Sequence, residues 1–104
     1  MNILAVTACP SGVAHTYMAA EALKKAAEAK GHNIKVETQG SIGIENVIVE
    51  ADVENADVVI LTKDMPIKNE VRFKNNLLVR VAISDAVKKA PAIILKIEKH
   101  LANK

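Results

Sequence analysis

Short, uniformly apolar runs set the strongest limit on what this chain can fold into. Ile3 to Val6 and Val58 to Leu61 are each four residues long and contain no polar side chain. Such runs are typical of strands that are buried on both faces of a parallel sheet. Leu77 to Ala82 is largely apolar and Ile34 to Thr38 alternates between apolar and polar residues, so both are also predicted to be strands.

The segments between the predicted strands have helical patterns. From His15 to about Lys30, alanine and leucine fall on one face of a helix and charged residues on the other, and Gly31 stands where glycine commonly ends a helix. A short helix is predicted over Ala51 to Ala56. A final helix is expected over Ser84 to His100, with Ser84 as its N-cap and with Pro91 dividing it into two pieces.

This alternation of strands and helices predicts an α/β fold. With the polar segment Lys63 to Asn76 interpreted mainly as loop, the order is β-α-β-α-β-loop-β-α. We expect a single domain over residues 1–104, with a four-stranded, mainly parallel sheet flanked by helices on both faces, a Rossmann-like open sandwich. Such sheets bind ligands beyond the carboxyl ends of their strands, and Cys9, the loop from Gln39 to Gly43 and Asp64 follow such ends.

The composition excludes several classes of function. A net charge of +2, with one tyrosine, one phenylalanine and no tryptophan, argues against nucleic acid as a partner. No apolar run approaches the roughly 18 residues of a membrane span, and Met1 to Ala8 lacks the basic leader of a signal peptide. The single cysteine excludes an internal disulfide and gives no zinc-ligand spacing. We therefore expect a cytoplasmic protein with no direct membrane insertion, no metal and no cofactor.

The most informative segment joins the first strand to the first helix, where Cys9 precedes Pro10, Ser11 and Gly12. The first turn of a helix has unpaired N–H groups and a partial positive charge, and Gly12 lets the backbone approach a ligand closely. Such a cradle binds phosphate and favours a thiolate. This placement favours Cys9 as a nucleophile that carries a phosphoryl group over Cys9 as a buried apolar residue. The predicted phosphate-binding loop is Pro10, Ser11, Gly12, Val13, Ala14, His15 and Thr16, with Ser11 and Thr16 as possible hydroxyl donors.

His15 stands six residues after Cys9, at the spacing where cysteine phosphatases have an arginine. Arginine clamps phosphate with two hydrogen bonds, whereas histidine is a weaker, titratable partner. A cradle without arginine suits a carrier, which must delay hydrolysis until an acceptor arrives. Two alternatives stay open. One is a small cysteine-dependent phosphatase with Asp64 as its general acid and Arg72 near the site. The other is a regulatory binding module in which Cys9 is never phosphorylated.

Two longer segments, Cys9 to Leu23 and Ile34 to Asn46, resemble sequence blocks of a known family. They are similar to the fructose-type IIB components of the bacterial phosphoenolpyruvate-dependent sugar phosphotransferase system. Ala56 to Leu61 and the pair Arg72-Phe73 follow in the order expected of this family, so the resemblance covers essentially the whole chain. One departure is Ser11, which occupies a place where threonine is common in the family.

The resemblance implies a phosphotransferase that acts as a sugar kinase in transport. A IIA component phosphorylated on histidine would pass its phosphoryl group to Cys9. Phospho-Cys9 would then pass the group to fructose or a related hexose held by the IIC membrane component. The chain would be a free-standing IIB subunit or an excised domain, held at the inner membrane only through IIC.

Other polar residues have weaker assignments. Gln39, Gly40, Asp64 and Arg72 are candidates for the rim of the site or for contacts with a partner. For Gln39 and Gly40, the alternative is that they only end the second strand and begin a tight turn, with no role in the site. For Arg72, the alternative is a solvated surface residue. His32 and His100 are predicted to be surface residues without partners.

Overall fold

A five-stranded sheet, built from the residues that the structure describes, lies at the centre of the fold. The structure is a computed structural model and describes residues 1–9, 13–40 and 43–102. Its strands are β1 (Asn2–Ala8), β2 (Asn33–Gly40), β3 (Gly43–Glu45), β4 (Val58–Thr62) and β5 (Leu78–Val81). They lie in the order β3-β2-β1-β4-β5, in which β3 is antiparallel to β2 and the other neighbours are parallel.

Helices cover both faces of this sheet. They are α1 (Val13–Ala29), α2 (Glu50–Asn55), α3 (Ile83–Lys88) and α4 (Ala90–Ala102), and Glu70–Phe73 forms a 3-10 turn. Helices α1, α3 and α4 pack on one face, and α2 and the 3-10 turn pack on the other. Within the described residues, no helix is long and apolar enough to cross a membrane. The predicted α/β fold, with a mainly parallel sheet between two helical layers, is confirmed.

The predicted number of strands was too low by one, because β3 was not recognised. This strand has three exposed residues with a single large apolar side chain, so it carries no periodic signal. Its pairing with β2 joins Gly40 to Gly43, and Gly43 has a φ of 118°, a conformation that favours glycine. The turn chemistry of the glycines, and not hydrophobic burial, therefore accounts for this strand.

The central strand β1 shows why its sequence is uniformly apolar. Ile3 and Ala5 point toward the layer of α1, α3 and α4, while Leu4 and Val6 point toward the layer that contains Phe73. All of these side chains are 4% exposed or less. Full burial of an aliphatic or aromatic side chain contributes about 1.5–3 kcal/mol each, so both core layers depend on β1.

Helix α1 has the amphipathic character that its sequence predicts. Leu23 is fully buried against the sheet, and Glu21 and Lys25 form an exposed i,i+4 ion pair of 3.1 Å on the opposite side. The predicted stop at Gly31 is also confirmed. Gly31 has a φ of 79°, its N–H donates to Glu28 and the next N–H donates to Ala27, as in a Schellman motif.

The C-terminal helices divide as expected, but their start differs from the prediction. Pro91 lies in the first turn of α4, where the missing proline N–H is tolerated. Helix α3 begins at Ile83 with Ala82 at the N-cap, so the prediction of Ser84 as N-cap is wrong. The carboxylate of Asp64 instead accepts the N–H of Ile83 at 2.6 Å. This cap comes from 19 residues earlier in the chain, so no local pattern reveals it.

His32 also differs from its predicted role as a surface residue without partners. Its Nδ1 lies 3.1 Å from the amino group of Met1, and its Nε2 lies 2.9 Å from a carboxylate oxygen of Glu98. These contacts join the start of β1, the loop before β2 and helix α4. Both partners are distant in sequence, which is why the prediction failed. His100 is exposed, in agreement with its prediction.

Candidate active site

The strand order creates a crevice between the ends of β1 and β4. The chain passes from β1 to β2 on one side of the sheet and later enters β4 on the other side of β1. Open α/β sheets bind ligands at such a reversal, outside the carboxyl ends of the two strands. Cys9 directly follows β1 and Asp64 lies just after β4, so the fold brings two predicted site residues to this crevice.

A cleft of about 380 Å³ opens at this end of the sheet. Its two walls are helices α1 and α3, and Cys9 is 9% exposed at its surface. Among the described residues, the lining is Cys9, His15, Met18, Asp64, Ile83, Ser84, Val87 and Lys88. The predicted rim residues Gln39, Gly40 and Arg72 are not part of this lining.

Buried threonines hold the backbone on both sides of Cys9. The hydroxyl of Thr62 accepts a hydrogen bond from the N–H of Ala8 at 3.0 Å. It also donates to the carbonyl oxygen of Ala8 at 3.2 Å. The hydroxyl of Thr7 donates to the carbonyl oxygen of Thr16 in α1 at 3.1 Å. The end of β1 is thereby tied to β4 and to the first helix. Thr7 and Thr62 were not among the predicted site residues, although each stands at the end of an apolar run, where a polar residue is informative.

The first turn of α1 places His15 beside the cysteine and holds the buried Thr16. The Sγ atom of Cys9 lies 3.9 Å from Nδ1 of the exposed His15, within hydrogen-bonding reach for sulfur. Thr16 is 1% exposed, and its hydroxyl has no hydrogen-bond partner among the residues that the structure describes. The predicted loop residues Pro10, Ser11 and Gly12 lie outside the described residues. Of the others, Val13 begins α1 and Ala14 is exposed.

Asp64 and Lys88 lie at the α3 side of the cleft. The carboxylate of Asp64 is engaged by the N–H of Ile83, so Asp64 caps α3 as well as lining the cleft. Lys88 is exposed at the end of α3 and has no ion-pair partner within the described part of the chain. Lys88 was not among the predicted site residues, because only the fold brings the end of α3 to Cys9.

Arg72 lies in a buried ion pair on the other face of the sheet. Its guanidinium donates to both carboxylate oxygens of Glu37, at 2.9 and 2.5 Å, and also to the carbonyl oxygen of Ile48 at 2.9 Å. The side chain of Glu37 is fully buried and that of Arg72 is 19% exposed. The structure therefore places Arg72 neither in the cleft nor in solvent, and gives it a partner that the sequence analysis did not foresee.

Further hydrogen bonds complete the surroundings of Glu37. Its carboxylate accepts the N–H of Ile48 and the amide of Gln39, both at 2.8 Å. Gln39 also joins the backbone N–H and carbonyl oxygen of Lys68, at 2.8 and 3.1 Å. Burial raises the pKa of Glu37, but the hydrogen bonds from Arg72, Gln39 and Ile48 and the positive charge of Arg72 outweigh it, so the pKa is lowered. Gln39 and Arg72 thus connect the end of β2 to the segments around residues 48 and 68.

The fold and the site together define a class of protein. It is a small Rossmann-like α/β domain with a candidate cysteine nucleophile at the ligand-binding end of a parallel strand. Residues 4–96 match the family described as the lactose/cellobiose specific IIB subunit of the PTS, the sugar phosphotransferase system. The chain belongs to this IIB family, whose members are phosphotransferases.

Individual relatives support the assignment over nearly the full chain. The chain is 69% identical over 101 residues to the fructose-like EIIB component 2 of Escherichia coli K12, covering 97% of this chain and 95% of that protein. The solution structure of an enzyme IIB subunit from the same strain superposes with a TM-score of 0.93 at 37% identity, covering 98% and 94% of the two chains. A domain of the fructose-specific IIABC component of Borrelia burgdorferi gives 0.86 at 47% identity, covering 91% and 90%.

Proposed function

We propose that Cys9 accepts a phosphoryl group from the phosphohistidine of a IIA component and passes it to a sugar held by the IIC membrane component. The observation that carries this proposal is the position of the Cys9 thiol. It lies at the switch point of the sheet, faces a cleft of about 380 Å³ and has Nδ1 of His15 at 3.9 Å. Membership in the IIB family supports a role as a phosphoryl carrier in sugar transport.

The proposed first step is an in-line displacement at phosphorus. Cys9 attacks the phosphoryl group of the donor, the S–P bond forms and the P–N bond of the donor histidine breaks. The electron pair of that bond returns to the imidazole, which ends with the proton that the thiol gives up. In the second step a sugar hydroxyl attacks the phosphocysteine, the S–P bond breaks and the hydroxyl proton restores the thiol.

The surroundings of Cys9 suit a phosphoryl group that carries about two negative charges. We propose that the N–H groups of residues 11–15 hold its oxygens, as expected at a helix N-terminus. The hydroxyl of Thr16, which has no partner among the described residues, would become a donor to the phosphoryl group or to the loop that holds it. Lys88 would supply positive charge from the opposite wall of the cleft.

The polar contacts favour a carrier over a cysteine-dependent phosphatase. A phosphatase needs a general acid, but the carboxylate of Asp64 is already engaged by the N–H of Ile83. It also needs an arginine clamp, but Arg72 is bonded to Glu37. Among the described residues, the cations that line the cleft are Lys88 and, when protonated, His15.

The remaining features of the proposal follow from the family. We propose a single IIB domain over residues 1–104, acting in the cytoplasm and reaching the inner membrane through IIC. Fructose or a related hexose is the proposed sugar, because the relative with 69% identity is named fructose-like. The family description names lactose and cellobiose, and an assay of which sugar becomes phosphorylated separates these sugars from fructose.

Intact mass measurement tests the assignment of Cys9. The protein is incubated with phosphoenolpyruvate, the general phosphotransferase proteins and a candidate IIA component. We expect a gain of about 80 Da that is absent from Cys9→Ser. The matched control is His32→Gln, which removes a histidine remote from the cleft and should leave the gain unchanged.

Each alternative gives a different result in this assay. A stable phosphoryl group on Cys9→Ser would refute the cysteine-carrier proposal. Turnover of an aryl phosphate that depends on Cys9 would indicate a phosphatase. No mass gain with any active IIA component of a fructose-type system would indicate a binding module.

A further inference from the structure

The edge strand β5 leaves part of its backbone without a partner. In the ladder with β4, the carbonyl oxygens of Leu77 and Val81 accept N–H groups at 2.9 Å each. Since the bonding groups of a parallel strand alternate, Val79 also faces β4, and Leu78 and Arg80 face away from it. Within the described residues, no other segment pairs with this outer side of β5.

The opposite edge of the sheet is formed by the short strand β3 and has different surroundings. There the outer side of β2 pairs with β3, and the side-chain amide of Asn46 donates to the outward carbonyl oxygen of Val36 at 2.9 Å. The nearby charges of Lys25 and Lys35 are also balanced by ion pairs with Glu21 and Asp52. The edge at β5 therefore differs from the edge at β3 in its lysines, which form no ion pair within the described residues, and not in being open.

A groove of about 260 Å³ lies between the open edge of β5 and helices α3 and α4. Apolar side chains and lysines share its lining, which is Lys63, Val79, Arg80, Val81, Ala82, Asp85, Lys89, Ala92, Ile93 and Lys96. Arg80 is occupied by two hydrogen bonds to Glu70, at 2.8 and 3.0 Å. The other charges are three lysines against one aspartate, and within the described residues none of these lysines forms an ion pair.

We propose that this groove binds an extended, acidic segment of a partner protein, which adds a strand to the edge of β5. The outward N–H and C=O groups of Leu78 and Arg80 provide the main-chain hydrogen bonds of such a strand. The apolar residues of the groove take alternate side chains of the segment, and Lys63, Lys89 and Lys96 face its carboxylates.

The charges and the shape distinguish this occupant from two others. A second copy of the chain would bring two sets of the same lysines together across β5, which repels. A lipid bilayer is flat, whereas the outward backbone of Arg80 lies along a groove between β5 and two helices. The groove is also separate from the Cys9 cleft, because the neighbouring residues Lys88 and Lys89 line the cleft and the groove respectively.

A capped heptapeptide that alternates glutamate and valine is a suitable probe. Amide hydrogen exchange of the full chain is measured by NMR with and without this peptide. We expect slower exchange at Leu78 and Arg80, whose N–H groups become bonded. Val79 and Val81 should change little, because the alternation of the ladder already bonds their N–H groups to β4. The affinity should fall as salt is added, since the contacts of the lysines are exposed.

Substitutions separate this proposal from a non-specific charge effect. The double variant Lys89→Gln and Lys96→Gln should raise the Kd of the acidic peptide about three- to tenfold, as expected for the loss of two exposed charge contacts. Lys24→Gln, a change of the same type at the opposite edge of the sheet, should leave the Kd unchanged. Phosphorylation of Cys9, read by mass, should be the same in all these variants, so this test is independent of the proposed function.

Four results would overturn the proposal. The first is no binding of the acidic peptide at millimolar concentration. The second is equal binding of a lysine-valine heptapeptide. The third is protection of Leu78 and Arg80 by self-association of the free protein, which would identify a second copy as the occupant. The fourth is binding to anionic phosphatidylglycerol vesicles without any protection of these two amides by the peptide.

Discussion

The buried pair of Glu37 and Arg72 allows a quantitative test of how this fold is stabilised. Replacement of Arg72 by methionine removes the cation and leaves the fully buried carboxylate without it. Breaking a buried ion pair from one side costs about 3–5 kcal/mol. One feature offsets this cost, because the buried Nε of Arg72 has no partner among the described residues, and its removal relieves about 1–3 kcal/mol. The difference between the centres of these two ranges predicts that Arg72→Met lowers the free energy of unfolding by about 2 kcal/mol.

Two further variants show whether the buried charge is the cause. Glu37→Gln combined with Arg72→Met removes both charges but keeps an acceptor for the N–H of Ile48. We expect this double variant to be more stable than Arg72→Met alone. Arg80→Met is the matched control, because Arg80 has a similar paired contact with Glu70 on the exposed surface. Its cost should be at most about 1 kcal/mol.

The pH dependence of stability should reverse its sign in Arg72→Met. In the natural chain the pKa of Glu37 lies below its ordinary value of 4.5. The pair therefore stabilises the fold above that pH, and this contribution is lost as the pH falls through the lower pKa of the folded state. Without Arg72, burial dominates and the pKa of Glu37 rises. A raised folded-state pKa means that Arg72→Met should gain stability as the pH falls from 7 toward 4.5.

Urea unfolding followed by circular dichroism, at several pH values, measures all of these quantities. A cost below about 1 kcal/mol for Arg72→Met, equal to that of Arg80→Met, would refute the reasoning. So would a double variant that is less stable than the single one. Either result would mean that water or a rearranged side chain compensates the carboxylate of Glu37.

Three further predictions concern the Cys9 cleft. Thr16→Val removes a buried hydroxyl that has no partner among the described residues, so stability to urea should be unchanged or higher by about 1 kcal/mol. The rate of Cys9 phosphorylation should fall, and equal rates would show that the hydroxyl has no role. Asp64→Ala removes the cap of α3 and should lower the free energy of unfolding by about 0.5–2 kcal/mol. Phosphocysteine should still form in this variant. Complete loss of phosphocysteine formation would restore Asp64 as a candidate general acid. Lys88→Gln should slow phosphorylation of Cys9 and raise the second pKa of the phosphocysteine, which a ³¹P NMR titration measures. The control Lys89→Gln should change neither the rate nor this pKa. Identical effects of the two substitutions would rule out a local role for Lys88.

Much of the fold could be predicted because its signals are local. The buried runs of β1 and β4, the amphipathic α1 and its stop at Gly31 each depend on residues close together in the chain. The position of Cys9 between a buried strand and a helix is local in the same sense. The carboxyl end of β1 then follows from the general geometry of parallel sheets, so the sequence by itself was sufficient to predict a candidate nucleophile at a ligand-binding edge.

The contacts between segments that are far apart in the chain depend on how the helices and strands pack. The cap that Asp64 gives to α3, the partner of Arg72 and the partners of His32 lie between 19 and 66 residues away in sequence. Side chains of this kind follow no period, because their partners are chosen by how the helices and strands pack. Lys88 and Lys89 are adjacent in sequence and identical in type, yet Lys88 lines the Cys9 cleft and Lys89 lines the groove beside β5. The local sequence does not predict this difference. The sequence thus determined where the reactive cysteine stands, and packing determined which charged and polar groups surround it.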